Sequence, residues 1–326
     1  MEANTTADKI SEPNASSLRW GILRRALLRR HSSSPDEQSE LDQNRVSRKA
    51  SRGFNLIAYH VIDDPSEEKS DTSTSKNQFG SSRVACFSYK LPIHHNSLNI
   101  LLYQRVDADG ANLNDFEVCN RHNIDNTGLV CQWPSEDVLA YYCLSNADKF
   151  RCKKVIELGS GYGLAGLVIA AVTQATEVII SDGNPQVFNY IQRSIDANSG
   201  AFGDSIVKPM VLHWNHDKLE DFSNSFDIIV ASDCTFFREF HKDLARTIRT
   251  LLRKEKPSEA ILFSPRRGDS LDKFILEIED SGLHYNIIEM YDSEVWRRHQ
   301  KFVEGDDSWP NYEKDHCYPL LVNITQ

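Results

Sequence analysis

Apolar and polar positions follow two different rhythms along this chain. Before residue 126 the apolar positions fall in short runs at 54–62, 83–91, 98–106 and 116–119, with a polar stretch over 63–82 between the first two. These runs have strand length and are rich in β-branched and aromatic residues, so they predict a small β-rich module over 53–126. Residues 134–145 change to a helical rhythm: Pro134 stands first, Glu136 and Asp137 fill the first turn, and Val138, Leu139, Tyr142 and Cys143 follow. From Lys153 onward strand and helix signals alternate. Strands are expected at 153–158, 177–182, 206–213, 226–232, 259–264, 285–291 and 317–324, and helices near 164–173, 185–197, 241–253 and 270–281. That alternation predicts a doubly wound α/β sheet over 127–326. Residues 292–316 read as polar and aromatic, so no helix is expected between the last two strands. Their direct pairing would make the final strand antiparallel.

Composition narrows the classes. The 326 residues hold 40% apolar positions, enough for a core, and contain no run of 18 apolar residues that would cross a bilayer as a helix. Residues 1–52 are polar and read as a disordered basic arm. Within it, 18–30 forms a short basic amphipathic pattern with Trp20, Leu23, Leu27 and Leu28 on one face. No secretory apolar region begins the chain, and Glu2, Asp8 and Glu12 disfavour a mitochondrial presequence. The seven cysteines are scattered without C-x-x-C spacing, which fits a reducing compartment, cytoplasm or nucleus, and neither a zinc site nor a disulfide framework. His213 and His216 lack a third ligand in sight, so no metal is expected. The net charge of −10 disfavours nucleic acid as a partner. It is uneven, for residues 19–52 carry nine Arg or Lys against four Asp or Glu. A monomer away from membranes is the expectation.

The candidate chemistry begins at 155–166, Val-Ile-Glu-Leu-Gly-Ser-Gly-Tyr-Gly-Leu-Ala-Gly. A strand ends in an acid, glycines allow a sharp turn and close approach of a ligand to the backbone, and a helix follows. Gly161-x-Gly163-x-x-Gly166 matches the dinucleotide fingerprint, with Asp182 placed as a ribose-binding acid. Two residues earlier, Glu157-x-Gly159-x-Gly161-x-Gly163 resembles the motif of S-adenosylmethionine-dependent methyltransferases, the favoured register. Ser160 lies within the loop. Asp182 ends the second strand, where a carboxylate can accept both ribose hydroxyls or cap the following helix. Trp214 follows the third strand and could stack on adenine or serve the core. Ala231 is small where an adenosine would pass. Asp233 and Phe236 form Asp-x-x-Phe at the end of the fourth strand. Base-directed amino-methyltransferases carry prolines there, which this chain lacks. Cys234, inside the motif, has no base in sight and reads as packing.

Together Trp133, the 157–163 loop, Asp182, Trp214 and Asp233 to Phe236 resemble the lysine-specific branch of seven-β-strand methyltransferases, methyltransferase family 16. The likeness runs from about residue 54 to the end. It implies a Rossmann-like seven-stranded class I methyltransferase sheet with an antiparallel last strand, and S-adenosylmethionine as cofactor. Cofactor binding would fall to Trp133, Glu157, Gly159, Ser160, Gly161, Gly163, Asp182, Trp214 and Ala231. Asp233 would aim a lysine amine by a charge-assisted hydrogen bond, and Phe236, with Phe237 as a second and weaker candidate, would contact the methylammonium. The run 127–143 closely resembles that of members acting on calmodulin, which implies calmodulin as protein partner and lysine trimethylation as product. An acidic partner requires basic surface, for which Arg24, Arg25, Arg29 and Arg30, then Arg266 with Arg267, and then Arg297, Arg298 and Lys301 are candidates. Another protein or a small molecule as acceptor, and a non-catalytic binding module, are the alternatives.

Overall fold

The computed structural model describes residues 53–62, 83–92, 97–106, 127–130, 133–214, 217–255 and 257–326. The arm over 1–52 and the run at 116–119 lie outside them.

The N-terminal strands β1 (Ala58–Ile62), β2 (Arg83–Pro92) and β3 (Ser97–Val106) form an antiparallel sheet in that order. A one-turn helix α1 (Thr127–Val130) and helices α2 (Pro134–Ser145) and α3 (Ala147–Phe150) lead into the main sheet. Its parallel strands are β4 (Lys154–Leu158), β5 (Glu177–Asp182), β6 (Ile206–Val211), β7 (Ile228–Ser232) and β8 (Glu259–Ser264). The seven strands stand in the order β6-β5-β4-β7-β8-β10-β9, where β9 is His284–Ile288 and β10 is Leu320–Thr325. The central strands are buried on both faces, hence their unbroken apolar runs. The helices between them are α4 (Leu164–Val172), α5 (Pro185–Ala197), α6 (His241–Leu251) and α7 (Ser270–Asp280).

β10 pairs antiparallel with both β8 and β9, so the last strand lies inside the sheet and not at its edge. The expectation of a helix-free connection before it is wrong. Residues 292–316 hold α8 (Ser293–Val303) and the start of α9 (Lys314–Cys317). Asp292 caps α8 by accepting from the backbone N–H groups of Glu294 and Val295 at 2.8 and 3.0 Å. Val295, His299 and Phe302 form its buried stripe at helical spacing. The polar residues between them concealed that stripe. The one-turn helix α9 takes up residues 314–317, so the final strand begins at Leu320.

The two sheets share one apolar core, in which Phe54, Tyr89, Ile100 and Leu102 join Ile156, Leu167 and Ile180. Side chains at the end of α5 and just after it cover the free edge of β3. Leu101 N donates to Asn198 Oδ1 at 2.8 Å and Tyr103 N to Ser194 Oγ at 3.0 Å. Otherwise these backbone groups would be open to pairing with another strand.

Candidate active site

The strand order reverses between β4 and β7, and the carboxyl ends of strands at such a switch point are where open α/β sheets bind ligands. The loop after β4 and the motif after β7 face each other there.

Gly159, Gly161 and Gly163 all adopt left-handed φ, at 58°, 56° and 81°. The neighbours enforce glycine as strongly as the dihedrals do. A Cβ on Gly159 would lie 2.8 Å from Cys234 Sγ and 3.3 Å from the Trp214 ring, and one on Gly163 only 2.6 Å from Ile180. Trp214 therefore lies against the glycine loop, and Cys234 packs on it. Asp182 ties the loop to β5. Its Oδ2 accepts from Gly161 N at 2.9 Å and its Oδ1 from Asn184 N at 2.8 Å. Asn184, not Asp182, caps α5, accepting from Gln186 N. Its Nδ2 is buried and has no partner among the described residues. Ser160 is buried, with its N–H donated to Ser181 O at 2.9 Å. Glu157 is 1% exposed, and its Oε2 accepts from Gly166 N at 2.8 Å. Burial pushes this carboxyl up to about 8, against the lowering hydrogen bond, with Glu136 and Asp182 adding to the rise.

Ala231 is buried between Leu158 of β4 and Leu262 of β8. Asp233 follows in left-handed conformation, φ 59°, with its N–H donated to Phe263 O at 2.9 Å. Its carboxylate is fully engaged. Ser135 Oγ donates to Oδ2 at 3.0 Å, and Arg267 pairs with both oxygens, Nη2 to Oδ2 at 2.9 Å. The Arg267 guanidinium stands 4.7 Å from the Trp133 ring centre and 5.0 Å from that of Phe236, whose two rings are 5.7 Å apart. Phe237 is buried edge-on to Phe236. Through Phe240 the ring contacts continue to Trp214. Thr235 is locked between Ser264 Oγ, Ser270 Oγ and His241 Nε2.

Several sequence expectations are corrected. Arg267 is not a docking cation, for its side chain is 7% exposed and buried against Asp233. Arg298 pairs with Glu294 and donates to the carbonyls of Phe54 and Asn55, so it holds the entry of the N-terminal sheet. Arg297 and Arg266 are not overturned, for both are about half exposed, in surface ion pairs with Glu294 and Asp272. Trp133 groups with Phe236 at the end of β7. Ser135, Asn184 and Arg267 were missed as members of the site. Ser135 carried a signal, one position after Pro134 in the run already singled out; Arg267 looks like any surface arginine. Among the described residues no cluster of His, Cys, Asp and Glu could hold a metal.

A glycine loop and acids at the switch point of a seven-stranded sheet with an internal antiparallel strand define a Rossmann-like methyltransferase architecture. A family model described as lysine methyltransferase matches residues 120–281. The chain is 60% identical over 312 residues, 96% of its own length and 97% of the relative's, to calmodulin-lysine N-methyltransferase of Arabidopsis thaliana. It belongs to the lysine methyltransferase family. The mouse protein-lysine N-methyltransferase EEF2KMT is 28% identical over 49% of this chain and 51% of its own. A solved S-adenosylmethionine dependent methyltransferase from Mesorhizobium loti aligns with 58% of this chain and 98% of its own at 13% identity and a TM-score of 0.40, too remote to bear on function.

Proposed function

We propose that this chain transfers methyl groups from S-adenosylmethionine to a lysine ε-amine of calmodulin, carrying that lysine to the trimethyl state. The observation that carries the reading is the 60% identity over nearly the whole of both chains to calmodulin-lysine N-methyltransferase of Arabidopsis.

The site's chemistry fits the cofactor. Glu157 and Asp182 offer carboxylates to an ammonium and to ribose hydroxyls, Asn184 Nδ2 is an unspent buried donor, and Trp214 offers an indole against the glycine loop. When bound, S-adenosylmethionine supplies an electrophilic methyl group on a sulfonium. The chain's own residues must bring an amine to that methyl without its proton and in line with it. Free lysine holds its proton to a pKa of about 10.4, and a partly dry pocket beside a positive charge favours the neutral form. Asp233, fixed by Ser135, can orient the amine. The faces of Trp133 and Phe236 suit a cation that grows with each methyl. Positioning of this kind accounts for most of the expected acceleration. Free thiols at Cys86, Cys143, Cys152, Cys234 and Cys317 support a cytoplasmic or nuclear setting, and a monomer is the proposed state.

The test is mass spectrometry of unmodified calmodulin incubated with the chain and S-adenosylmethionine, with Asp233→Asn alongside and its melting checked. One, two and then three methyl increments on a single lysine, lost in the variant, are expected. Calmodulin left unchanged while calorimetry shows cofactor binding would reject the acceptor.

A further inference from the structure

The pocket that should receive the lysine cation already holds a cation of the chain's own. Both Asp233 oxygens are taken by the Arg267 guanidinium, which also lies within 5.0 Å of the Trp133 and Phe236 ring centres. The side chains of Arg267 and Asp233 are 7% and 3% exposed, so little water screens them. An incoming ammonium would find a neutralised carboxylate, two occupied ring faces and a like charge at short range. The loop is built to present this arginine. Arg267 and Gly268 adopt left-handed φ of 45° and 68°, an uncommon conformation for arginine. Their N–H groups are held by Asp315, at 2.9 Å to its carbonyl and 2.7 Å to its carboxylate. The backbone is thus tethered to α9, while the long side chain reaches the pocket through rotatable bonds.

We propose that Arg267 is a specificity-determining residue of the acceptor pocket. Its guanidinium stands in the seat of the substrate ammonium and yields it only to a cation on a long unbranched stem delivered by a docked protein. The inference rests on the reading of this pocket as the lysine site. Ser135 is the part that stays through the exchange, holding Asp233 while one cation replaces the other. Small free amines lack docking contacts to drive the exchange and are excluded. The apparent affinity for the true acceptor is lowered by the fraction of chains in which Arg267 is seated.

The experiment follows the Arg267 side-chain Nε–H resonance in the full chain, assigned with Arg267→Lys and shifted by the Trp133 and Phe236 ring currents. Addition of S-adenosylhomocysteine and unmodified calmodulin should move it to the position of a solvated arginine. In parallel, Arg267→Ala should lower KM for calmodulin by about tenfold if seated chains outnumber open ones by that ratio. It should also gain methylation of n-butylamine, an acceptor the unaltered chain refuses. A resonance that does not move, or a KM unchanged or raised without new amine acceptance, overturns the inference. If the variant does not fold, the resonance decides alone. Methyl transfer by the unaltered chain with an unmoved resonance sinks this inference only; no lysine methylation by that chain removes the parent reading and this inference with it.

Discussion

At Glu157 a carboxyl group is buried at the carboxyl end of β4 with one backbone N–H for company, and burial raises it from 4.5 to about 8. A raised acid favours the folded state while protonated. Its contribution is fully present below about pH 4.5 and is lost as pH rises through about 8. The melting temperature should therefore fall across that window, and Glu157→Gln should flatten the fall, as scanning calorimetry over a pH series would show. A cationic cofactor should also drive the proton off, so calorimetric titration near neutral pH in two buffers of different ionisation enthalpy should report net proton release. Equal heats in the two buffers would mean that Glu157 does not meet a positive charge. Gly163 makes a second residue-scale prediction. Its φ is 81°, and an added Cβ would meet Ile180 at only 2.6 Å. Gly163→Ala should therefore cost about 1–3 kcal/mol in denaturant unfolding and weaken cofactor binding.

Among the elements, two joints besides the bonds from β3 to the end of α5 tie the N-terminal sheet to the methyltransferase fold. Tyr162, within the glycine loop, donates its hydroxyl to Leu129 O at 3.0 Å and accepts from Arg105 N of β3 at 3.2 Å. Tyr162→Phe removes both bonds from a buried place and should cost about 1–3 kcal/mol, with cofactor affinity falling in step because the same residue shapes the loop. Arg298 is the second joint, reaching from α8 to the carbonyls of Phe54 and Asn55. Arg298→Ala should raise amide exchange over residues 54–57 while leaving that of β4 and β7 unchanged; uniform exchange would show that the sheets open as one. Phe54 adds apolar weight here, packing edge-on to Phe302 and Trp309.

For the molecule as a whole, charge is the quantity to test. The chain carries −10 overall, yet residues 19–52 are net positive, and the cations after β8 and on α8 that could have met an acidic partner are largely committed to neighbours. For the acidic partner proposed above, the basic arm and exposed Lys301 remain as candidate cations, while Arg266 and Arg297 stay about half exposed in their ion pairs. Reversing Arg24, Arg25, Arg29 and Arg30 to Glu should raise KM for calmodulin and flatten its dependence on ionic strength, with kcat little changed. An unaltered salt profile would place docking elsewhere.

Local sequence was enough for whatever depends on near neighbours in the chain. The alternation from Lys153 onward set the strand and helix order, and the glycine spacing with Glu157 set the loop, because backbone freedom and apolar period are local properties. α8 was also locally encoded by its Asp292 cap and buried stripe, but the polar residues between masked that period. Tertiary structure alone decided which cation meets Asp233. Ser135 and Asp233 are 98 residues apart and Arg267 lies 34 beyond Asp233, so their meeting at one carboxylate follows from sheet order, not from spacing. The same holds for the buried charge of Arg267, since a side chain's exposure is set by what the fold packs around it.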